Sequence, residues 1–439
     1  MVLNFTDDGD ITIGVVGLGY VGLPAMFSFH EVGFNVIGID VSEKKIDLLN
    51  RGINPLSDTT DSTLIPLESK RWSISSSFND SIIKCDVVII AVPTPVNDKI
   101  PDLNYVKRAA NSILENLDLD RRTIVILEST VYPGITREFL INKAKELQLS
   151  DEEVAFAYCP ERVSPGDSDR TVNNTARVIG SDSKKVGQYV TNLYSKITNL
   201  ECRYVGKPEV AEAAKLIENV QRDIDIAFVN ELATILPKIG LDVNDVLDAA
   251  STKWNFHIHD PGIGVGGHCI PVDPYYYISL SEKLGVEALM SSSARSINEY
   301  MPKYASNAIL DKLQNSNERK ILILGYSYKP ELGDIRETPV KELCKNLYNG
   351  GCQIFIQDPH INPNDIPEWT NYVSKENQNI VFDMVVIATG HSEFKSLNWP
   401  ELLTKCRTKI IYDGRRFLER NTMETMGWDY YGIGVPENS

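Results

Sequence analysis

An apolar strand, a glycine turn and a helix follow one another in ITIGVVGLGYVGLPAMFSF, residues 11 to 29. Gly17, Gly19 and Gly22 form GxGxxG directly after the strand, and Asp40 closes the next strand, FNVIGID. In that setting the pattern reads as a dinucleotide turn. Gly17 permits the tight turn, Gly19 lets the backbone approach a pyrophosphate, and Gly22 lets helix pack on strand. Tyr20 and Val21 complete the turn, and the helix N-terminus then faces the phosphates. Asp40 would accept hydrogen bonds from the adenosine ribose hydroxyls. A 2′-phosphate would meet like charge there, which favours NAD over NADP, although Lys44 and Lys45 lie just beyond. The alternative is a packing turn with no ligand.

The alternation continues through CDVVIIAVPTP, RTIVILEST and EVAFAYCP, with helical segments such as SEKKIDLLNRG between strands. Continuous apolar strands alternating with helices mean a parallel sheet covered on both faces. The pattern then starts again: RKILILGYSY, CQIFIQDPH, VFDMVVIATGH and TKIIYDGRRF repeat the order and type of the first set. Between the two sets the chain reads helical. The expected fold is α/β, two Rossmann-like doubly wound domains flanking a helical middle domain, with limits at 1–205, 206–316 and 317–439.

The formal net charge of −16 argues against nucleic-acid binding, which relies on Lys and Arg neutralising phosphate. It leaves room for a local positive pocket and an anionic ligand. No apolar run approaches the roughly 18 residues that cross a bilayer. The acidic start MVLNFTDDGD lacks the regions of a signal peptide, so a cytoplasmic protein without a membrane partner is expected. Seven scattered cysteines without a CxxC pair indicate neither a disulfide framework nor a zinc ribbon.

Several stretches carry candidate chemistry. Val92, Pro93 and Thr94 in AVPTP leave room for a nicotinamide riboside, or form a rigid strand-ending turn. In EVAEAAKLIENVQRDIDIAFVNELA, Lys215, Asn219 and Arg222 share one helix face, with Ile217 and Phe228 among the apolar residues of the others. That polar stripe is either solvated or lines a cleft where the Lys215 ammonium stabilises oxyanion charge. GVGGHCIPVDP sets Cys269 among glycines, including Gly266, four residues before Asp273. Cys269 is a small buried residue, or a nucleophile whose thiolate Lys215 favours. His257, His259, His268 and Cys269 invite a metal reading, but four glycines frame a ligand set poorly, and no metal is expected. Glu161 follows a strand, where a carboxylate could activate water or pair with Arg162. The second domain lacks the full glycine fingerprint. Lys329 with Arg336 or Arg415 could neutralise one nucleotide diphosphate, or form surface ion pairs.

Taken in order, GLGYVGLP, VPTP, ESTVYPG, CPERVSPG, AAKLIENVQRDI, GVGGHCIPVDP, GYSYKPELGDIRETP and YDGRR resemble the UDP-glucose/GDP-mannose dehydrogenase family, from about Ile11 to Leu418. The resemblance implies oxidation of a nucleotide-sugar C6 alcohol to a carboxylate with two NAD. It implies that Cys269 captures the C6 aldehyde as a thiohemiacetal, later a thioester, and that Glu161 acts in its hydrolysis. Lys215, Asn219 and Asp273 would hold the oxyanion and the water, and Thr130 would lie near the reacting centre and cofactor. Lys329 and Arg415 match substrate-binding positions, with Arg162, Arg222 and Gly266 as further candidates. Arg336 matches an arginine that reaches NAD, and the long central helix matches the family's dimer core. STKWNF and DPYYYI look similar to the branch acting on UDP-N-acetylhexosamines such as UDP-GlcNAc; His259 and Asp260 depart from the residues common there. UDP-ManNAc and UDP-glucose are the alternative substrates. A two-electron hydroxyacid dehydrogenase, which needs no Cys269, and a non-enzymatic NAD-binding regulator are the competing classes.

Overall fold

The computed structural model describes residues 11–56, 65–162, 171–314, 316, 318–374 and 380–436. The acidic N-terminal ten residues and the 163–166 end of CPERVSPG lie outside them. Thr12–Val16 (β1), Asn35–Ile39 (β2), Trp72–Ser75 (β3), Val87–Ile90 (β4), Thr123–Leu127 (β5) and Val154–Tyr158 (β6) form one parallel sheet, in the order β3-β2-β1-β4-β5-β6. Lys320–Leu324 (β7), Gln353–Gln357 (β8), Asn371–Tyr372 (β9), Phe382–Ile387 (β10), Cys406–Asp413 (β11) and Asp429–Gly432 (β12) repeat that order as β9-β8-β7-β10-β11-β12.

The apolar strands are continuous because both faces are covered. In β4, Val87 and Ile89 feed one core while Val88 and Ile90 feed the other. In β10, Met384 and Val386 alternate with Val385 and Ile387 in the same way. Each such fully buried side chain is worth roughly 1.5–3 kcal/mol of transfer free energy, and a buried polar residue such as Asp383 in β10 is carried only with partners, here Arg407 and the Lys320 N–H. Helices Pro208–Ile235, Val243–Ser251, Asp273–Lys283 and Leu289–Lys312 make up the middle of the chain. The architecture is therefore the expected pair of doubly wound α/β domains with a helical middle. The chain forms two compact units, residues 1–218 with 275–283 and residues 219–274 with 284–439, which share the 206–316 segment between them.

Each sheet turns from its first strand in the same way. Gly17 has φ +94°, and a Cβ on it would sit 2.6 Å from the Ala91 carbonyl oxygen. Gly325 has φ +85°, and a Cβ there would strike the Thr389 backbone and side chain. At the end of the second strand of each sheet, a carboxylate accepts backbone N–H groups from that turn. Asp40 Oδ2 accepts from Leu18 at 2.8 Å; Asp358 Oδ2 accepts from Tyr326 at 2.7 Å and Ser327 at 3.0 Å. Among the described residues no helix is long and apolar enough to cross a membrane.

Candidate active site

The first unit presents a dinucleotide cradle. A Cβ at Gly19 would meet nothing within 4 Å, so the backbone is open where a pyrophosphate would approach. The helix Gly22–Glu31 starts directly behind it. Asp40 Oδ1 accepts the Ser42 N–H at 2.9 Å, while Oδ2 also pairs with Lys45 Nζ at 2.6 Å. Open glycine backbone, a helix N-terminus and a carboxylate at the end of the second strand fit NAD. The Val92–Thr94 turn is pinned by two hydroxyls: Ser129 Oγ donates to the Val92 carbonyl at 2.8 Å, and the buried Tyr276 hydroxyl donates to the Thr94 carbonyl at 2.9 Å. Neither hydroxyl was singled out from the sequence.

Two strand ends of the same unit bring candidate residues forward. Glu128, Ser129 and the half-buried Thr130 follow β5, and Pro160 and Glu161 follow β6. Sequence offered Arg162 as the partner of Glu161. The structure gives Glu161 to Arg177 instead, Nη2 to Oε2 at 2.6 Å, and turns the Arg162 guanidinium to Glu218. Neighbours on an extended segment point to opposite sides, which separates Glu161 from Arg162. Arg177 also holds Glu128 at 2.6 Å, and both of these side chains are fully buried.

The central helix carries Lys215, 8% exposed, and the half-buried Asn219 one turn later. Arg222, expected on the same stripe, is exposed, and so are Ile217 and Phe228 on the apolar faces. In the second unit Asn219 Nδ2 donates to Asp273 Oδ2 at 2.5 Å, so this helix and the residue four beyond Cys269 are directly tied. Asp273 is buried and opens the helix Asp273–Lys283; its N–H reaches back to the Cys269 carbonyl at 2.8 Å. Cys269 itself is half-buried.

The glycines before Cys269 make space for protein rather than for ligand alone. A Cβ on Gly266 would lie 2.5 Å from Tyr328 Cβ and 2.9 Å from the Glu337 carbonyl oxygen; one on Gly267 would lie 2.8 Å from the Tyr328 ring; one on Gly262 would lie 2.6 Å from Arg415 Nη1. Tyr328, unmarked in the sequence reading, is thus the wall against which the loop is seated. Upstream, Asn230 Oδ1 accepts the Gly262 N–H at 2.9 Å and its Nδ2 donates to Asn298 Oδ1 at 2.8 Å. His257 and His259 each lie 3.7 Å from Asp225 Oδ2, and burial lowers the His259 pKa.

Beside the loop, Arg415 Nε donates to the Ala388 carbonyl at 3.0 Å and Nη1 to that of Gly264 at 3.4 Å. Burial pulls its pKa down to about 10, with Asp413 opposing. A half-buried cation bonded to carbonyls could receive an anion. Lys329 is half-buried, and Arg336 is paired with Asp334 through Nε and Nη2, the latter at 2.5 Å. Asp358 differs from Asp40 in its side-chain partner: His391 Nε2 lies 3.0 Å from its Oδ2, where Asp40 has Lys45. His391 Nδ1 accepts the Glu331 N–H at 3.1 Å, so the neutral ring donates from Nε2 and both nitrogens are used. That also removes His391 from the His360–His391–Glu393 group, whose spacing alone would suit a metal ion.

Comparison with known proteins agrees with this layout. Family models match the chain in order: the UDP-glucose/GDP-mannose dehydrogenase family NAD binding domain over residues 11–198, its central domain over 209–300, and its UDP binding domain over 322–420. The chain is 33% identical over 413 residues to a UDP-N-acetyl-D-glucosamine 6-dehydrogenase of Salmonella typhi, covering 92% of this chain and 96% of that protein. It is 34% identical over 433 residues to a UDP-N-acetyl-D-mannosamine dehydrogenase of Pyrococcus horikoshii, covering 96% and 99%. A solved UDP-D-ManNAc dehydrogenase from Pyrococcus horikoshii superposes with a TM-score of 0.87 at 31% identity, covering 97% of this chain and 99% of that one.

Proposed function

The chain belongs to the UDP-glucose/GDP-mannose dehydrogenase family, an NAD-dependent nucleotide-sugar dehydrogenase by its domains and relatives, and from that premise we propose that it oxidises C6 of UDP-N-acetylglucosamine to the uronate through a covalent bond to Cys269. The observation that carries the covalent route is the seating of Cys269: a glycine loop pressed on Tyr328 and closed by the Asn219–Asp273 hydrogen bond at 2.5 Å. A cysteine needed only for packing requires no such frame.

NAD, when bound in the Gly17–Gly22 cradle, accepts the hydride of each oxidation. The residues of the chain do the rest. The C6 hydroxyl gives up a proton and a hydride, and the aldehyde carbon takes the Cys269 sulfur to form a thiohemiacetal. Its carbon loses a second hydride and its hydroxyl a proton, leaving a thioester. Water displaces the sulfur and releases the carboxylate. Lys215, with Asn219, supports the oxygen that carries negative charge in these steps. Asp273, held by Asn219, and Thr130 orient the water and the reacting alcohol, and Glu161 takes the proton of the attacking water. Arg415 and Lys329 neutralise the diphosphate; the half-buried, carbonyl-bonded guanidinium of Arg415 supports that role.

A UDP-ManNAc substrate is the second reading, because relatives named for the two sugars match at nearly the same identity. Following NADH absorbance with UDP-GlcNAc, UDP-ManNAc and UDP-glucose decides it. Two NADH per UDP-GlcNAc consumed supports the proposal; two per UDP-ManNAc with UDP-GlcNAc inert supports the second reading; one NADH with any of them removes the covalent route. A homodimer fits the stripe of exposed apolar residues on the central helix, Val210, Ile217, Phe228 and Ile235, each about half exposed.

A further inference from the structure

The carboxylate given to water activation is tethered at both oxygens. Glu161 Oε2 accepts from Arg177 Nη2 at 2.6 Å, and Oε1 accepts the Arg162 N–H at 2.7 Å. The other arm of the guanidinium, Nη1, donates to Glu128 Oε1 at 2.6 Å and to the Pro160 carbonyl at 3.3 Å. Arg177 therefore grips the side chain of Glu161 and the peptide just before it, while lying over the Tyr194 ring at 5.3 Å. Resting on the reading that Glu161 activates water, we propose that Arg177 is a positioning residue for the hydrolytic half of the reaction, fixing the Glu161 carboxylate and sharing its charge between Glu161 and Glu128.

A structural ion pair would need one acid; this cation has two. Arg177 and Glu128 are wholly buried, and Glu161 is 11% exposed, so Glu161 is the member of the trio with access to water. One guanidinium facing two ionised carboxylates leaves net negative charge in a dry interior, which is unfavourable. Burial accordingly pushes the Glu128 pKa up to about 7, with Arg177 opposing and Glu161 reinforcing the rise. Glu128 Oε2 has no hydrogen-bond partner among the described residues. The remaining titratable neighbours are the Cys159 thiol and the Tyr194 phenol, both raised far by burial, and Cys202, raised by burial too. Near neutrality Glu128 is the group of this cluster that changes charge. Below that range it keeps its proton and Glu161 holds the guanidinium alone. Above it, the second carboxylate competes for Arg177 and leaves Glu161 freer to take a proton.

In the step concerned, the water oxygen bonds to C6 and one water proton passes to Glu161. The C6–Sγ bond breaks, Cys269 leaves as the thiol carrying that proton, and the new acid releases the other to solvent. No oxidation or reduction occurs, so the step is separable from both hydride transfers. Rapid-quench single turnovers, with NADH counted by absorbance and the Cys269 adduct by mass spectrometry, read it directly. With Arg177→Met, both NADH are expected to form while uronate release slows by about 10- to 100-fold and the thioester accumulates. Arg177→Lys should recover part of the loss. Wild-type release should rise through pH 7, and Glu128→Gln should flatten that rise. If Arg177→Met does not fold, Arg177→Lys and Glu128→Gln carry the test. Folded variants that release uronate at the wild-type rate, with the wild-type pH profile and no adduct, overturn the proposal. A wild-type enzyme that makes a single NADH overturns the parent reading instead, which keeps the two failures apart.

Discussion

Cys269 was legible as a candidate because a lone cysteine among glycines is an unusual use of both residue types. In the proposed covalent route, replacing it by Ser removes the sulfur that would hold the half-oxidised sugar. The expected result is loss of uronate formation by at least about a thousandfold, with no more than one NADH per sugar. Asp40 was legible too, as were Lys44 and Lys45 just beyond it; the structure shows which of the two it pairs with, Lys45 at 2.6 Å from Oδ2, a cation that would soften the repulsion of a 2′-phosphate. A single ion pair of this kind, with a half-buried lysine, is worth about 1 kcal/mol. Lys45→Met should therefore shift the kcat/KM ratio of NAD over NADP upward by about fivefold, and an unchanged ratio would show that Lys45 has no part in the choice. Asp358 gives a stability prediction. Burial alone would raise its pKa, but His391 and the backbone N–H groups of Tyr326 and His360 outweigh burial and hold it down at about 2. A folded pKa below the usual 3.8 means stability that is fully present above 3.8 and is lost as pH falls towards 2. The amount is about 2 kcal/mol, at roughly 1.4 kcal/mol per pKa unit. Denaturant midpoints measured from pH 5 to pH 2 should show Asp358→Asn losing less over this window than the wild type.

The elements show where periodicity stops being informative. The helix Pro208–Ile235 was legible from its apolar content, yet which apolar residues face inwards was not. Ala211, Leu216 and Val220 are buried, whereas Ile217 and Phe228 are about half exposed. Hydrophobic patterning reports that a face is covered, not whether the cover comes from this chain or another. With the second copy of the chain as the occupant, Ile217→Glu with Phe228→Glu should convert a dimer into a monomer in sedimentation while the far-UV spectrum stays unchanged; a wild-type monomer would remove the assignment. The glycine loop is the opposite case. The sequence sets Cys269 among glycines without showing what they pack against, and the close neighbours of Gly264 and Gly266 include Pro339, Tyr328 and the Glu337 carbonyl, all far along the chain. Gly266→Ala would push the loop off Tyr328, and a shift of about 1 Å at a nucleophile costs on the order of a hundredfold in rate. Turnover should fall by that order with the thermal midpoint little changed, because the loop end at Gly266 is only half-buried.

At the scale of the molecule, the two sheets were legible because doubly covered strands are largely apolar, a signal local in sequence. The Glu128–Arg177–Glu161 group was not, since its members are 49 and 16 residues apart and no spacing rule connects them. The same contrast separates the two nucleotide sites. Both sheets share order and turn, so resemblance of fold would give both a dinucleotide. What differs is the use of the carboxylate after the second strand: Asp40 meets a half-buried lysine, Asp358 a buried histidine with both nitrogens engaged. NAD should therefore act on one turn and UDP on the other. At a hundred times its dissociation constant a ligand stabilises the state it binds by about 2.7 kcal/mol, enough to slow exchange of amides that it covers. In hydrogen exchange read by mass spectrometry, NAD alone should protect the Gly17–Gly22 turn and leave Gly325–Lys329 unchanged, and UDP alone should do the reverse. Equal protection of both turns by either ligand would mean that the Asp358–His391 pair does not exclude a dinucleotide, and the division of labour between the two sheets would have to be sought elsewhere in their loops.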